Sequence, residues 1–191
     1  VNTTGEVIDE TLTIAGSAGD GVAVQFDTTA RVTRFEALDA ELNLLGQTIT
    51  GNFSFDSVSS PADPDIDGSV RIAVTGAGLF LGDDGGTPDD ITDDTGVRIT
   101  DAEGALLVLG TGLAGEISGD VQLAVPDVEF TGSFTVAVNT IAAPVNESFT
   151  VGSETIALDL PGGPFLCVKG DNVTLDVLGQ SLSGDFAIER M

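Results

Sequence analysis

The chain contains no tryptophan, tyrosine or histidine, a single cysteine, a single methionine and only 6 basic residues among 191. Without histidine a Ser-His-Asp triad cannot be built, and zinc would find Cys167 alone among its preferred soft ligands. The Gly-x-Ser-x-Gly elbow of hydrolases does not occur either. A lone cysteine forms no internal disulfide, and its place in the alternating run Phe165-Leu166-Cys167-Val168 predicts a buried, inert thiol. Sugar-stacking Trp and Tyr are lacking, so the aromatic content rests on ten Phe. Six basic residues against 31 acidic ones leave a formal charge of −25, which excludes nucleic acid and anionic membrane as natural partners and makes cations the obvious counterpart. The longest uncharged apolar run, Gly104 to Gly115, is too short to insert into a membrane, and no charged-then-apolar leader begins the chain. A start at Val1 in place of Met is what a processed form or an excerpt of a longer chain would show.

What is present is a folding chain, 41% apolar and rich in Val, Leu, Ile and Ala, and long enough to bury a sizeable core. Its organising stretch is Leu45-Gly46-Gln47-Thr48-Ile49-Thr50-Gly51-Asn52-Phe53, which returns as Leu178-Gly179-Gln180-Ser181-Leu182-Ser183-Gly184-Asp185-Phe186, a step of 178 − 45 = 133 residues. Val1-Asn2-Thr3 returns as Val138-Asn139-Thr140 at a step of 138 − 1 = 137, and an extra segment near residues 16–21 accounts for the difference. Residues 1–56 therefore read as a partial repeat equivalent to 138–189, and residues 57–191 as a full repeat unit that contains an acidic loop at 82–96.

Apolar residues fall mainly on alternate positions, a period of two that predicts strands, and no stretch sustains a helical period over three turns. Phe35 to Leu42 could make two helical turns, but its counterpart, residues 168–175, carries a turn and then a β-branched run. Glycine followed by Asp, Asn or Ser is expected to start strands at Gly51, Gly68, Gly119, Gly132 and Gly184. Alternation places Phe53, Phe55, Phe130, Phe134 and Phe186 on an inward face, and Arg34, Arg71 and Arg98 outward as solvated strand charge.

The Leu-Gly-Gln motif and Leu158-Asp159-Leu160-Pro161-Gly162-Gly163-Pro164, repeated without a Pro-rich or Ser-rich linker, resemble the tandem repeat regions of very large secreted bacterial surface proteins. The resemblance covers most of the chain and rests on structural motifs. It implies an extracellular or cell-surface location and a load-bearing or adhesive role, with neighbouring repeats or copies of the same chain as partners. The glycine-rich nonapeptide of calcium-binding β-rolls is absent.

The expected fold is all-β, with many short antiparallel strands in an elongated, stacked, solenoid-like repeat architecture; tandem β-sandwich domains are the alternative. Asp63, Asp65 and Asp67 before Gly68 match the opening of a calcium loop, although Val74 stands where a bidentate Glu would complete it. Asp83, Asp84, Asp89, Asp90, Asp93 and Asp94 crowd a second loop between strands, where a bound Ca2+ would relieve their repulsion. Gly110-Thr111-Gly112-Leu113-Ala114-Gly115 fits a dinucleotide fingerprint in spacing, but an alternating segment follows it where the fingerprint needs a helix. Four sequons begin at Asn2, Asn52, Asn146 and Asn172.

The absent catalytic parts point away from an enzyme and towards a non-catalytic structural or adhesive segment, stabilised by cations. A carbohydrate- or protein-binding β module with a glycan or cell-surface partner is the alternative. A carboxylate-based hydrolase is the remote one, since glycoside hydrolysis needs only two acids.

Overall fold

The computed structural model describes residues 1–12, 22–26, 29–44, 47–60, 67–86 and 93–190. They form twelve strands and, among the described residues, no helix. These are β1 (Ile8–Leu12), β2 (Val22–Phe26), β3 (Arg31–Leu44), β4 (Gln47–Ser59), β5 (Val70–Asp83), β6 (Thr95–Leu109), β7 (Gly112–Val125), β8 (Val128–Asn139), β9 (Val145–Val151), β10 (Glu154–Leu160), β11 (Phe165–Val177) and β12 (Gln180–Arg190). Eight of them make one antiparallel sheet in the order β12-β11-β8-β7-β6-β5-β4-β3, while β1-β2 and β9-β10 are separate hairpins. The sheet is not closed: β3 and β12 are its edges. The fold is all-β, as the alternation predicts. Position 56 lies inside β4, so both sides of the division after it contribute to this one sheet.

The sheet strands are long, 11 to 15 residues, where short ones were expected. The glycines read as strand starts explain the difference. Gly51, Gly119, Gly132 and Gly184 lie inside β4, β7, β8 and β12, and only Gly68 sits in a turn ahead of its strand. Each of the four faces a bulge in a neighbouring strand. The register slips at residues 37–40 of β3, 74–77 of β5, 100–103 of β6 and 171–174 of β11. A Cβ on Gly51 would stand 2.9 Å from Ala77 Cα, and one on Gly119 3.1 Å from Ala102 Cα, so glycine is what lets the strands close over the extra residue. The bulged strands carry left-handed residues there: Asp39 (φ 49°), Gly76 (φ 56°), Asp101 (φ 50°) and Asn172 (φ 52°).

The residue after the glycine completes two of these bulges. Asn52 Oδ1 accepts the Asp39 N–H at 2.8 Å, and Asp185 Oδ1 accepts that of Asn172 at 2.7 Å. The organising motif therefore encodes a hairpin turn, a strand, a glycine under a bulge and a side-chain cap for that bulge. In the second copy the turn has Leu178 and Gly179 both at positive φ, the backbone that a two-residue hairpin loop requires. Leu45 and Gly46 of the first copy lie outside the described residues, as does the segment at 16–21.

The hairpins cover one face of the sheet. Under β9-β10 that face is made of small side chains, Ala73, Ala105, Ala114 and Ala137, all at most 5% exposed, against which Phe149, Val151, Leu158 and Leu160 of the hairpin pack. Cys167 is half-buried against this cluster. A smaller cluster of Phe26, Ala30, Val32 and Val58 joins β1-β2 to β3 and β4.

The opposite face carries the larger residues and, among the described residues, no covering element. One row of cross-strand partners runs Ala37, Phe53, Val74, Gly104, Ile117, Val136, Val168, Ile188 from edge to edge. The phenylalanines expected inside belong here: Phe55 is 43% and Phe186 41% exposed, and Phe134 bridges Phe130 and Phe186 with centroids 5.6 and 6.0 Å away. Alternation says which residues share a face, but the hairpins choose the face they can approach closely, and alanine permits a closer approach than phenylalanine.

Candidate functional site

The three arginines expected in solvent are partly buried instead: each pairs with a carboxylate and lies over a phenylalanine ring. Arg34 binds Asp56 through two bonds, Nε–Oδ1 at 2.8 Å and Nη2–Oδ2 at 2.7 Å, with its guanidinium 5.6 Å from the Phe26 centroid. It also donates to the Gln25 carbonyl at 3.2 Å. Arg71 binds Glu147 at 2.8 Å, donates to the Ser148 carbonyl and lies 4.5 Å from the Phe149 centroid. Arg98 pairs with Asp94 and lies 4.8 Å from Phe80.

Two of these sets share one cleft. Arg34, Asp56 and Arg71 are consecutive cross-strand partners on β3, β4 and β5, so Asp56, 6% exposed, stands between two arginines in the sheet. Phe26 reaches down from β2 and Phe149 from β9 to bound a space of about 330 Å³ between the hairpins. The sequence placed the arginines outward because charge on a strand usually faces water. Here planar guanidiniums stack on rings and fork onto carboxylates, which makes them good joints between a sheet and the hairpins above it.

A second joint appears twice. Asn139 is 0% exposed; its Nδ2 donates to the carbonyls of Ala143 (3.2 Å) and Pro161 (2.7 Å), and its Oδ1 accepts the Ile141 N–H at 2.8 Å. Asn2, also 0% exposed, donates to the carbonyl four residues on, Glu6, at 2.8 Å and accepts the N–H two residues on, Thr4, at 3.0 Å. Asn139 is the β8 partner of Phe165, and Asn2 forms an isolated bridge to Val32, which stands 165 − 32 = 133 residues earlier. The signal for this pair was the recurrence of Val-Asn-Thr; its buried, doubly bonded amide was not legible. It also holds the Asn2 sequon inside the fold, and Asn52 is occupied by its bulge and by Thr75, whereas Asn146 and Asn172 are exposed.

The structure describes five of the nine acidic residues singled out in the sequence. Asp63, Asp65, Asp89 and Asp90 lie outside the described residues. Asp67 is exposed and accepts the Ser60 N–H at 2.8 Å, closing the turn before β5. Asp83 and Asp84 accept the N–H groups of Gly85 and Gly86 at 3.1 and 3.0 Å. Asp93 lies against Gly85, and Asp94 is held by Arg98. Among the described residues, no three acidic or soft side chains converge as a metal site would require. Glu103 and Glu116 both line a cleft of about 170 Å³ beside β10, smaller than the usual ligand pocket.

Among the described residues no helix is long and apolar enough to cross a membrane. Compared with family models, with curated proteins and with solved structures, the chain matches none of them.

Proposed function

We propose that this chain is a non-catalytic structural or adhesive segment of an extracellular tandem-repeat protein, in which each repeat lengthens a continuous sheet and divalent cations, calcium first, stabilise the acidic loops. The observation that carries the reading is the recurrence of one piece of structure at both edges of the sheet. The β1-β2 hairpin followed by β3-β4 matches the β9-β10 hairpin followed by β11-β12, with the buried asparagine, the bulge and its cap in corresponding places. β12 corresponds to β4, and β4 receives β5 on the side that β12 leaves open. β3 corresponds to β11, which receives β8 on the side where β3, among the described residues, meets only the Asn2 bridge. A further unit following Arg190 would therefore set its own β5 against β12 and continue the sheet. A catalytic or sugar-binding reading lacks a comparable carrier.

The test is a fused chain in which residues 58–190 are repeated after Arg190. One unit contributes β5, β6, β7, β8, β11 and β12 to the sheet. At about 4.8 Å per strand, six strands add about 29 Å. Small-angle scattering should show the largest dimension growing by about that much, with a single unfolding transition. Two independent transitions joined by a flexible connection would refute the continuous sheet.

A further inference from the structure

We propose that the uncovered face of the eight-stranded sheet is the interface of a face-to-face dimer between two copies of this chain. The register gives two full rows of eight partners across it: the row from Ala37 to Ile188 described above, and a second from Phe35 to Arg190 through Phe55, Ile72, Leu106 and Leu166. Fifteen of these sixteen positions are apolar or glycine, Arg190 is the exception, and none is acidic in a chain with 31 acids. Phe35 is 66%, Ile117 51% and Ile188 64% exposed, far more apolar surface than scattered exposure explains.

Size favours a second copy. Eight strands about 4.8 Å apart and roughly 40 Å long present about 1,500 Å² per copy, so a pair would bury about 3,000 Å², within the range of obligate homodimers. Charge agrees, since none of these sixteen positions carries a carboxylate and two such faces meet without opposing any along the two rows. With Arg190 at one edge as their single charge, the two rows offer little to steer an ionic partner, and the chain lacks the Trp and Tyr that anchor proteins at a lipid surface.

Shape supplies the third reason. A shallow trough of about 280 Å³ runs over Gly104 and Gly115, with Leu106 and Ile117 beside them. Leu106 pairs with Gly115 and Gly104 with Ile117 across the β6-β7 seam, which is the centre of the sheet. A two-fold axis along that seam, parallel to the strands, sets Leu106 over Gly115 of the second copy and Ile117 over its Gly104. Each large side chain meets a glycine, and the contact is self-complementary as a two-fold interface requires.

The experiment is sedimentation equilibrium on the full chain from about 1 to 100 µM, at fixed calcium and ionic strength. The expected mass is twice 19.4 kDa; a parent protein that stays at 19.4 kDa throughout overturns the proposal. Pairing through the open edges of β3 or β12 would also give a dimer, so Ile117→Asp decides between them. Ile117 is already 51% exposed, so the monomer should keep its circular dichroism spectrum while dimerisation weakens by about 100-fold or more. A dimer of unchanged affinity overturns the proposal, and so does a monomeric parent that floats with phosphatidylcholine vesicles. Should Ile117→Asp fail to fold, Val136→Glu, at a position 39% exposed, carries the same expectation, and scattering from the parent must show two stacked sheets about 10 Å apart. An edge-extended single layer would refute the stacking while leaving the repeat reading standing.

Discussion

Replacing Asn139 with alanine removes three hydrogen bonds at a position with no solvent to replace them. Each is worth about 1 kcal/mol net, and the carbonyls of Ala143 and Pro161 and the N–H of Ile141 each lose a partner, so the cost should be about 3 kcal/mol or somewhat more. In a chain of this length that lowers the melting temperature by roughly 6–12 °C. Asn139→Asp separates hydrogen bonding from packing, because its shape is the same. Its carboxylate can still accept from Ile141 but would face two carbonyl oxygens where the amide donated. Burial and those oxygens raise its folded-state pKa above the unfolded value. The penalty is then full above the folded pKa and fades as the pH falls towards the unfolded one. The assay is urea denaturation of parent, Asn139→Ala and Asn139→Asp at several pH values, with each variant referred to the parent at the same pH. The alanine deficit should stay constant while the aspartate deficit shrinks on acidification. An alanine cost below about 1 kcal/mol, or an aspartate deficit indifferent to pH, would refute the reasoning.

Three other outcomes are expected. Asp56→Ala leaves Arg34 and Arg71 facing each other across β4 and should cost about 3 kcal/mol; a double-mutant cycle with Arg34→Met should show coupling above about 1 kcal/mol, and strict additivity would dissolve the joint. Leu178→Asn relieves a left-handed residue (φ 49°) that is 75% exposed, so denaturation should show a gain of about 1 kcal/mol, and a loss would contradict the strain assigned there. Millimolar calcium, compared with chelator at matched ionic strength, should raise the melting temperature, by about 2.7 kcal/mol of stability at a hundredfold excess over Kd. A shift abolished by Asp65→Ala would assign the effect to Asp63, Asp65 and Asp67, one that survives it to the loop from Asp83 to Asp94, and no shift would leave both as solvated charge.

The sequence by itself determined that the chain is built of strands, though not their length. Alternation is a local property, so a backbone with side chains on opposite sides follows from it wherever it holds, and the recurrence of Leu-Gly-Gln and Val-Asn-Thr marked segments that take the same form at both edges. Three things were decided only in three dimensions. Gly51 and Gly119 look like strand starts in sequence because glycine usually interrupts; whether it ends a strand or admits a neighbour's bulge depends on the residue beside it in the sheet, such as Ala77 or Ala102. Arg34 and Arg71 face the hairpins because Asp56, Glu147, Phe26 and Phe149 arrive there from distant positions, and no spacing along the chain records that meeting. The phenylalanines share a face as alternation requires, yet which face becomes core was settled by where β9-β10 could dock, and it docked on the alanines.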